Sequence, residues 1–169
     1  MTESAENKKS HLKTNMWILI VGVLLFTVYT LSTIYFREDT VELKSETDPV
    51  EKTLADGTEI VLGPNSTLVV PTAFVASSRK VELSGSCMFH IEDDEKTFII
   101  QTRAGSIYGN SGSIKVDSAD TKVVSIQVNS GTFACRPFDG EQLSQHQKTV
   151  TDGVKVRMSA EDQSVNVRF

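Results

Sequence analysis

A chain of 169 residues, 39% hydrophobic and 23% charged, has room for one ordinary folded domain. A formal net charge of −5 and a pI near 5.2 leave no basic footprint, which counts against nucleic acid as a partner.

Residues 1–15 are polar and contain Lys8, Lys9 and Lys13. Residues 16–36, from Met16 and Trp17 to Tyr35 and Phe36, carry no charge. At about 1.5 Å per residue this run predicts a helix about 31 Å long, matching the roughly 30 Å hydrocarbon core of a bilayer. A cleaved signal peptide would have a shorter apolar core and small residues at its end. Here Tyr35-Phe36-Arg37-Glu38-Asp39 follows instead. The expectation is a single transmembrane helix, with Trp17 and Tyr35 suited to the two interfaces. Three lysines before the span, against Arg37, Glu38, Asp39 and Glu42 after it, place the tail in the cytoplasm and the remainder across the membrane. Thr27, Thr30 and Thr33 form a stripe that could pair with another helix or simply bond its own preceding turn.

Residues 37–49 are charged and end in Pro49, as a stalk or linker would; Thr40-Val41-Glu42-Leu43 reads equally as a first edge strand. From residue 50 to 169 short Val-, Ile-, Thr- and Phe-rich runs alternate with turn signals. These include Asp56-Gly57, Gly63-Pro64-Asn65, Ser84-Gly85, Ser111-Gly112, Ser130-Gly131, Asp139-Gly140 and Asp152-Gly153. Val81, Leu83, Cys87, Phe89 and Ile91 share one parity, against Ser84 and His90 on the other. Val124, Ile126 and Val128 alternate with Ser125 and Gln127 in the same way. Period two marks half-buried strands, so an all-β domain is expected: a sandwich, jelly roll or short β-helix.

The order of motifs in residues 53–135 resembles the FecR domain, the extracytoplasmic β-domain of bacterial cell-surface signalling regulators. The stretches that carry the likeness are Leu54-Ala55-Asp56-Gly57-Thr58-Glu59-Ile60-Val61-Leu62, Asn65-Ser66-Thr67-Leu68 leading to Pro71, and Arg79-Lys80-Val81-Glu82-Leu83-Ser84-Gly85. Phe89-His90-Ile91, Phe98-Ile99-Ile100-Gln101-Thr102, Gly109 and Val123 to Gly131 continue it. The resemblance implies an inner-membrane protein with a periplasmic domain that signals through other envelope proteins. Family members usually carry a helical anti-sigma domain before the membrane and often a receptor-docking domain at the C-terminus. The fifteen residues before residue 16 and the stretch after residue 140 match neither. Gly109-Asn110-Ser111-Gly112 also replaces the family's glycine-threonine-aromatic step.

Candidate chemistry is sparse. His11, His90 and His146 show no zinc spacing, and no Gly-x-Ser-x-Gly elbow accompanies the serines. Glu92-Asp93-Asp94-Glu95 lacks the spacing and the glycine of a calcium loop and reads as a solvated turn. Asn65-Ser66-Thr67 fits a glycosylation sequon but reads as a turn entering a strand. No catalytic residue, metal or cofactor is expected. Cys87 and Cys135 both have core parity. A bridge between them would contribute roughly 3–4 kcal/mol if their strands were neighbours, and buried free thiols are the alternative. The residues and the resemblance together lead to a single-pass inner-membrane protein, not an enzyme. Its β-module binds other envelope or membrane proteins as an accessory or scaffold, with homo-oligomerisation open. The alternative is an LptC-like periplasmic jelly-roll lipid carrier. That function would leave the sheet interior open, whereas a FecR-like module packs Phe74, Phe89, Phe98 and Phe133 into a closed core.

Overall fold

The computed structural model describes residues 17, 19–30, 39–74, 78–120, 122–139, 142–143 and 147–168. They divide into a unit ending at Glu38 and a β-unit, Asp39–Phe169. In the first, residues 19–30 form a helix, α1, whose Leu19, Leu24, Phe26 and Tyr29 side chains are exposed. Thr27 Oγ1 donates to the Leu24 carbonyl at 2.8 Å and Thr30 Oγ1 to that of Phe26 at 3.0 Å, so both hydroxyls bond their own helix. Thr33 and the tail 1–15 lie outside the described residues, as does much of the span 16–36. Among the described residues no helix is long and apolar enough to cross a membrane.

The β-unit folds as two sheets. The first takes the order β1 (Thr40–Ser45), β4 (Ser66–Pro71), β5 (Ser78–Ser84), β7 (Thr97–Gln101), β8 (Gly105–Gly109), β11 (Phe133–Asp139). At its far edge β11 also pairs with β12 (Gln142–Leu143) and β13 (Lys148–Val150). The second sheet runs β15 (Val165–Arg168), β14 (Lys155–Ser159), β10 (Val123–Gly131), β9 (Gly112–Asp117), β6 (Ser86–Ile91), β3 (Glu59–Leu62), β2 (Val50–Thr53). Of the described pairings only β5 with β7 is parallel.

The chain changes sheet again and again, and the sequence provides the means. Between β5 and β6 the single residue Gly85 (φ +102°) turns the strand from one sheet into the other. A side chain there would run into Ser66, whose hydroxyl accepts the Ser86 N–H at 2.8 Å. Because the sheets face each other, the strict alternation on both sides of Gly85 sends Val81, Leu83, Cys87, Phe89 and Ile91 into one core. Ile60 and Leu62 of β3, Ile114 and Val116 of β9, and Val124, Ile126 and Val128 of β10 complete it from the second sheet. Phe89, Phe98 and Phe133 are at most 1% exposed, and Phe74 lies half-buried against them. Phe98 meets Phe89 edge-on at 5.9 Å between ring centres, and Phe74 at 6.3 Å. The interior is closed by aromatic packing.

Of the two readings of residues 37–49, stalk or first edge strand, the structure has the edge strand from residue 40. Thr40–Ser45 is the edge strand of the first sheet, in register with Ser66–Pro71, and the compact unit begins at Asp39. The charged residues that suggested a linker are those an edge strand tolerates. Glu42 and Lys44 lie two apart and pair with each other at 3.1 Å on the exposed side.

Candidate interaction surface at the Arg79 end

Arg79 opens β5 on the inward parity of Val81 and Leu83, and its side chain is completely buried. A guanidinium there must find partners for its donors or the burial is prohibitive. Asp56, in the turn between β2 and β3, supplies the charge: Nη1 donates to Oδ2 at 2.9 Å, with the carboxylate only 5% exposed. Three loop carbonyls take further donors. Nη1 donates to Glu92 O at 2.9 Å, Nη2 to Asn110 O at 2.8 Å, and Nε to Lys96 O at 3.0 Å. The guanidinium also lies 5.4 Å from the centre of the Phe98 ring.

Asp56 is itself held in place. Its Oδ1 accepts the Thr58 N–H at 3.1 Å and its Oδ2 the Thr58 hydroxyl at 2.9 Å, so the Asp-Gly-Thr turn presents a fixed carboxylate. One arginine thereby fastens three connections: β2–β3, β6–β7 and β8–β9. Lys96 extends the set by donating from Nζ to Phe74 O at 3.3 Å.

These fastened loops display an acidic rim. Glu92, Asp93 and Glu95 are exposed, and Asp94 is half-buried beside Asn110. The Lys96 backbone N–H donates to Asp94 Oδ1 at 3.0 Å and, with the nearby Arg79 and Lys96 charges, lowers the Asp94 carboxyl below its ordinary 3.8. The turn has a defined shape rather than being a loose acidic run.

Other residues singled out from the sequence fall elsewhere. His90 is exposed on β6, between Glu59 and Ser113 on the neighbouring strands. His11 and His146 lie outside the described residues. Among the described residues no three His, Cys, Asp or Glu side chains converge as a metal site. The bridge held open between Cys87 and Cys135 is not formed. Cys87 pairs in register with Leu62 and Val116 in the second sheet, whereas Cys135 pairs with Ile107 and Lys148 in the first, so their strands are not neighbours. Both are free, buried thiols pushed up to about 12 by desolvation.

The Arg79 hub was not foreseen as a unit. A signal for it exists: Arg79, Val81 and Leu83 alternate, so an arginine on the core parity demands a buried carboxylate.

A two-sheet β-module whose loops are knotted by a buried Asp–Arg pair is thus the class of domain at hand. The family model for FecR protein matches residues 43–133, more than half of the chain, and the chain belongs to the FecR family. Both members of the pair lie inside that match. The fold is similar to two crystal structures of a candidate anti-sigma factor from Parabacteroides distasonis. They have TM-scores of 0.67 and 0.66, each at 20% identity, over 77% and 76% of this chain. The matched region is 60% and 59% of those chains, so this protein spans well under two thirds of their length. No curated protein sequence matches.

Proposed function

We propose that the chain is a single-pass inner-membrane protein whose periplasmic FecR module binds other envelope proteins in a signalling relay or assembly. In this reading the module is an accessory or scaffold rather than a complete anti-sigma regulator. The observation that carries it is the Arg79 end. Charge, buried backbone acceptors and a fixed turn there are spent on holding three loops in one shape, which is what a recognition surface requires. Family membership supports a regulatory role. The anti-sigma assignment of the similar crystal structures points in the same direction. The apolar, uncharged run at residues 16–36 supports the membrane anchor, and the lysines before it support a cytoplasmic N-terminus.

The closed aromatic core argues against the lipid-carrier alternative, because an acyl chain would have to displace Phe89, Phe98 or Phe133. In-cell crosslinking of the tagged full-length protein, with mass spectrometry of what is captured, tests the proposal. Capture of outer-membrane receptors or a separate anti-sigma protein is the result expected of a relay part. Capture of envelope-machine subunits is expected of a scaffold. Lipid co-purifying with the protein, with no protein partner captured, would overturn both.

A further inference from the structure

The outer face of the second sheet carries the opposite charge to the Arg79 end. Lys115 on β9 and Lys155 and Arg157 on β14 flank Ser125 and Gln127 of β10, and together they line a groove of about 270 Å³. Register brings them together, since Gln127 lies opposite both Lys115 and Lys155, and Ser125 opposite Arg157. All three cations are exposed, and none has an ion pair or hydrogen bond among the described residues. One carboxylate, Asp117, shares the groove and accepts the Ala119 N–H at 3.2 Å, so the groove stays net positive on a chain whose net charge is −5.

From this charge complementarity we infer that the groove is a docking surface for a second copy of this chain, and that the occupant is the partner copy's 92–95 turn. Among the described residues Glu92, Asp93 and Glu95 are exposed carboxylates without an ion pair, matching three cations without one. Arg79 holds the turn at Glu92 O and Lys96 O, so little ordering accompanies its insertion. Among the described residues the turn makes no ion pair with the groove of its own chain. Ile91, where the turn begins, is in register with Gly112 at the start of β9. Lys115 and Asp117 lie three and five residues further along, about 10–17 Å at 3.4 Å per residue. Turn and groove are therefore separate patches on one domain, and docking between copies is head-to-tail, generating a ring or an open row. Single exposed ion pairs are weak, so the association is salt-sensitive and concentration-dependent.

Sedimentation of the full chain in non-ionic detergent, in roughly 0.02 M and 0.5 M salt, provides the test. Wild type should self-associate at low salt, and the association should weaken at least about tenfold at high salt. Lys155→Glu with Arg157→Glu in one variant, and Asp93→Lys with Glu95→Lys in another, should each abolish it. All four positions are solvent-facing, and unchanged melting would show each variant folded. Mixed together, the two variants should associate again, because the intact turn of the first meets the intact groove of the second and the reversed turn of the second meets the reversed groove of the first. Association that ignores salt and both reversals, or a mixture that does not re-pair, would overturn the inference. So would a wild type that stays monomeric while its groove binds a polyglutamate peptide, which would make the occupant a foreign acidic segment.

Discussion

Arg79 and Arg157 bring the same guanidinium to two contrasting regions of one domain. Arg79 is fully buried, with a carboxylate, three carbonyls and an aromatic ring around it. Arg157 is exposed, with no partner among the described residues. Removing a charge from water is tolerable only where its partners are already in position, so the first arginine binds the domain to its present shape. The second adds almost nothing to folding and remains available to another molecule. The two regions thus separate what holds the module together from what it can offer, and substitutions can test that division.

The largest effect should come from breaking the buried pair. Asp56→Ala leaves Arg79 charged and uncompensated in the interior and should lower stability by roughly 3–5 kcal/mol in urea unfolding. Replacing both members by apolar residues of similar volume, Asp56→Leu with Arg79→Met, should be less harmful than the single change. A double variant at least as unstable as Asp56→Ala would mean that the loop carbonyls, rather than the charge pair, carry the stability of this end. Arg79→Lys should lie between, since an ammonium lacks the fork that reaches three separate loops.

Why the sequence revealed one half of this comparison more readily than the other has a physical reason. Period-two alternation reports which face of a strand is buried, so Val81, Leu83, Phe89, Ile126 and Val128 were legible as core. Turn chemistry was legible too: Gly57, Gly85, Gly112, Gly131 and Gly153, all read as turn signals, take a positive φ. Alternation does not report which sheet a strand joins. β5 and β6 share a parity yet belong to different sheets, and Cys87 and Cys135 share core parity while lying in different sheets. Nor does local sequence show convergence. Asp56, Arg79, Glu92, Lys96 and Asn110 span 55 positions and meet only because three connections close over the same end. The groove is illegible for the same reason: Lys115, Lys155 and Arg157 become neighbours through register alone.

Next in size is the sheet-switching turn at Gly85, which joins the two sheets. Gly85→Ala would combine a left-handed backbone with a methyl group 2.7 Å from the Cα of Ser66. The cost should be about 1–3 kcal/mol, read as a lower urea midpoint with unchanged slope. Ser66→Ala should remedy only part of it, since the conflict includes Ser66 backbone. Complete rescue by that second change would show that the hydroxyl alone was the obstacle.

The buried thiols probe the core shared by both sheets. With Cys87 and Cys135 raised to about 12, each stays protonated in the folded domain while an unfolded chain ionises near the ordinary 9.0. The stabilising preference for the neutral thiol is therefore full below about pH 9 and is lost as pH rises towards about 12. The melting temperature should fall across that interval, and Cys87→Ala with Cys135→Ala should flatten this part of the profile. At pH 8 an alkylating reagent should label the native domain far more slowly than the urea-unfolded chain. Equal rates would place the thiols in contact with solvent, against the packing described.

The smallest effect is the one that discriminates most. Arg157→Ala or Lys155→Ala should change stability by less than about 0.5 kcal/mol, as expected for an exposed side chain with no bonded neighbour among the described residues. Neither should alter the spectral signature of the folded sheets. A loss of 2 kcal/mol or more would mean that these cations hold β14 against β10, and the division between structural and available charge would fail on this face. If stability is unchanged, differences in association between these variants and wild type can be read directly. A change in binding then reports on the surface itself, because the fold that presents it has not moved.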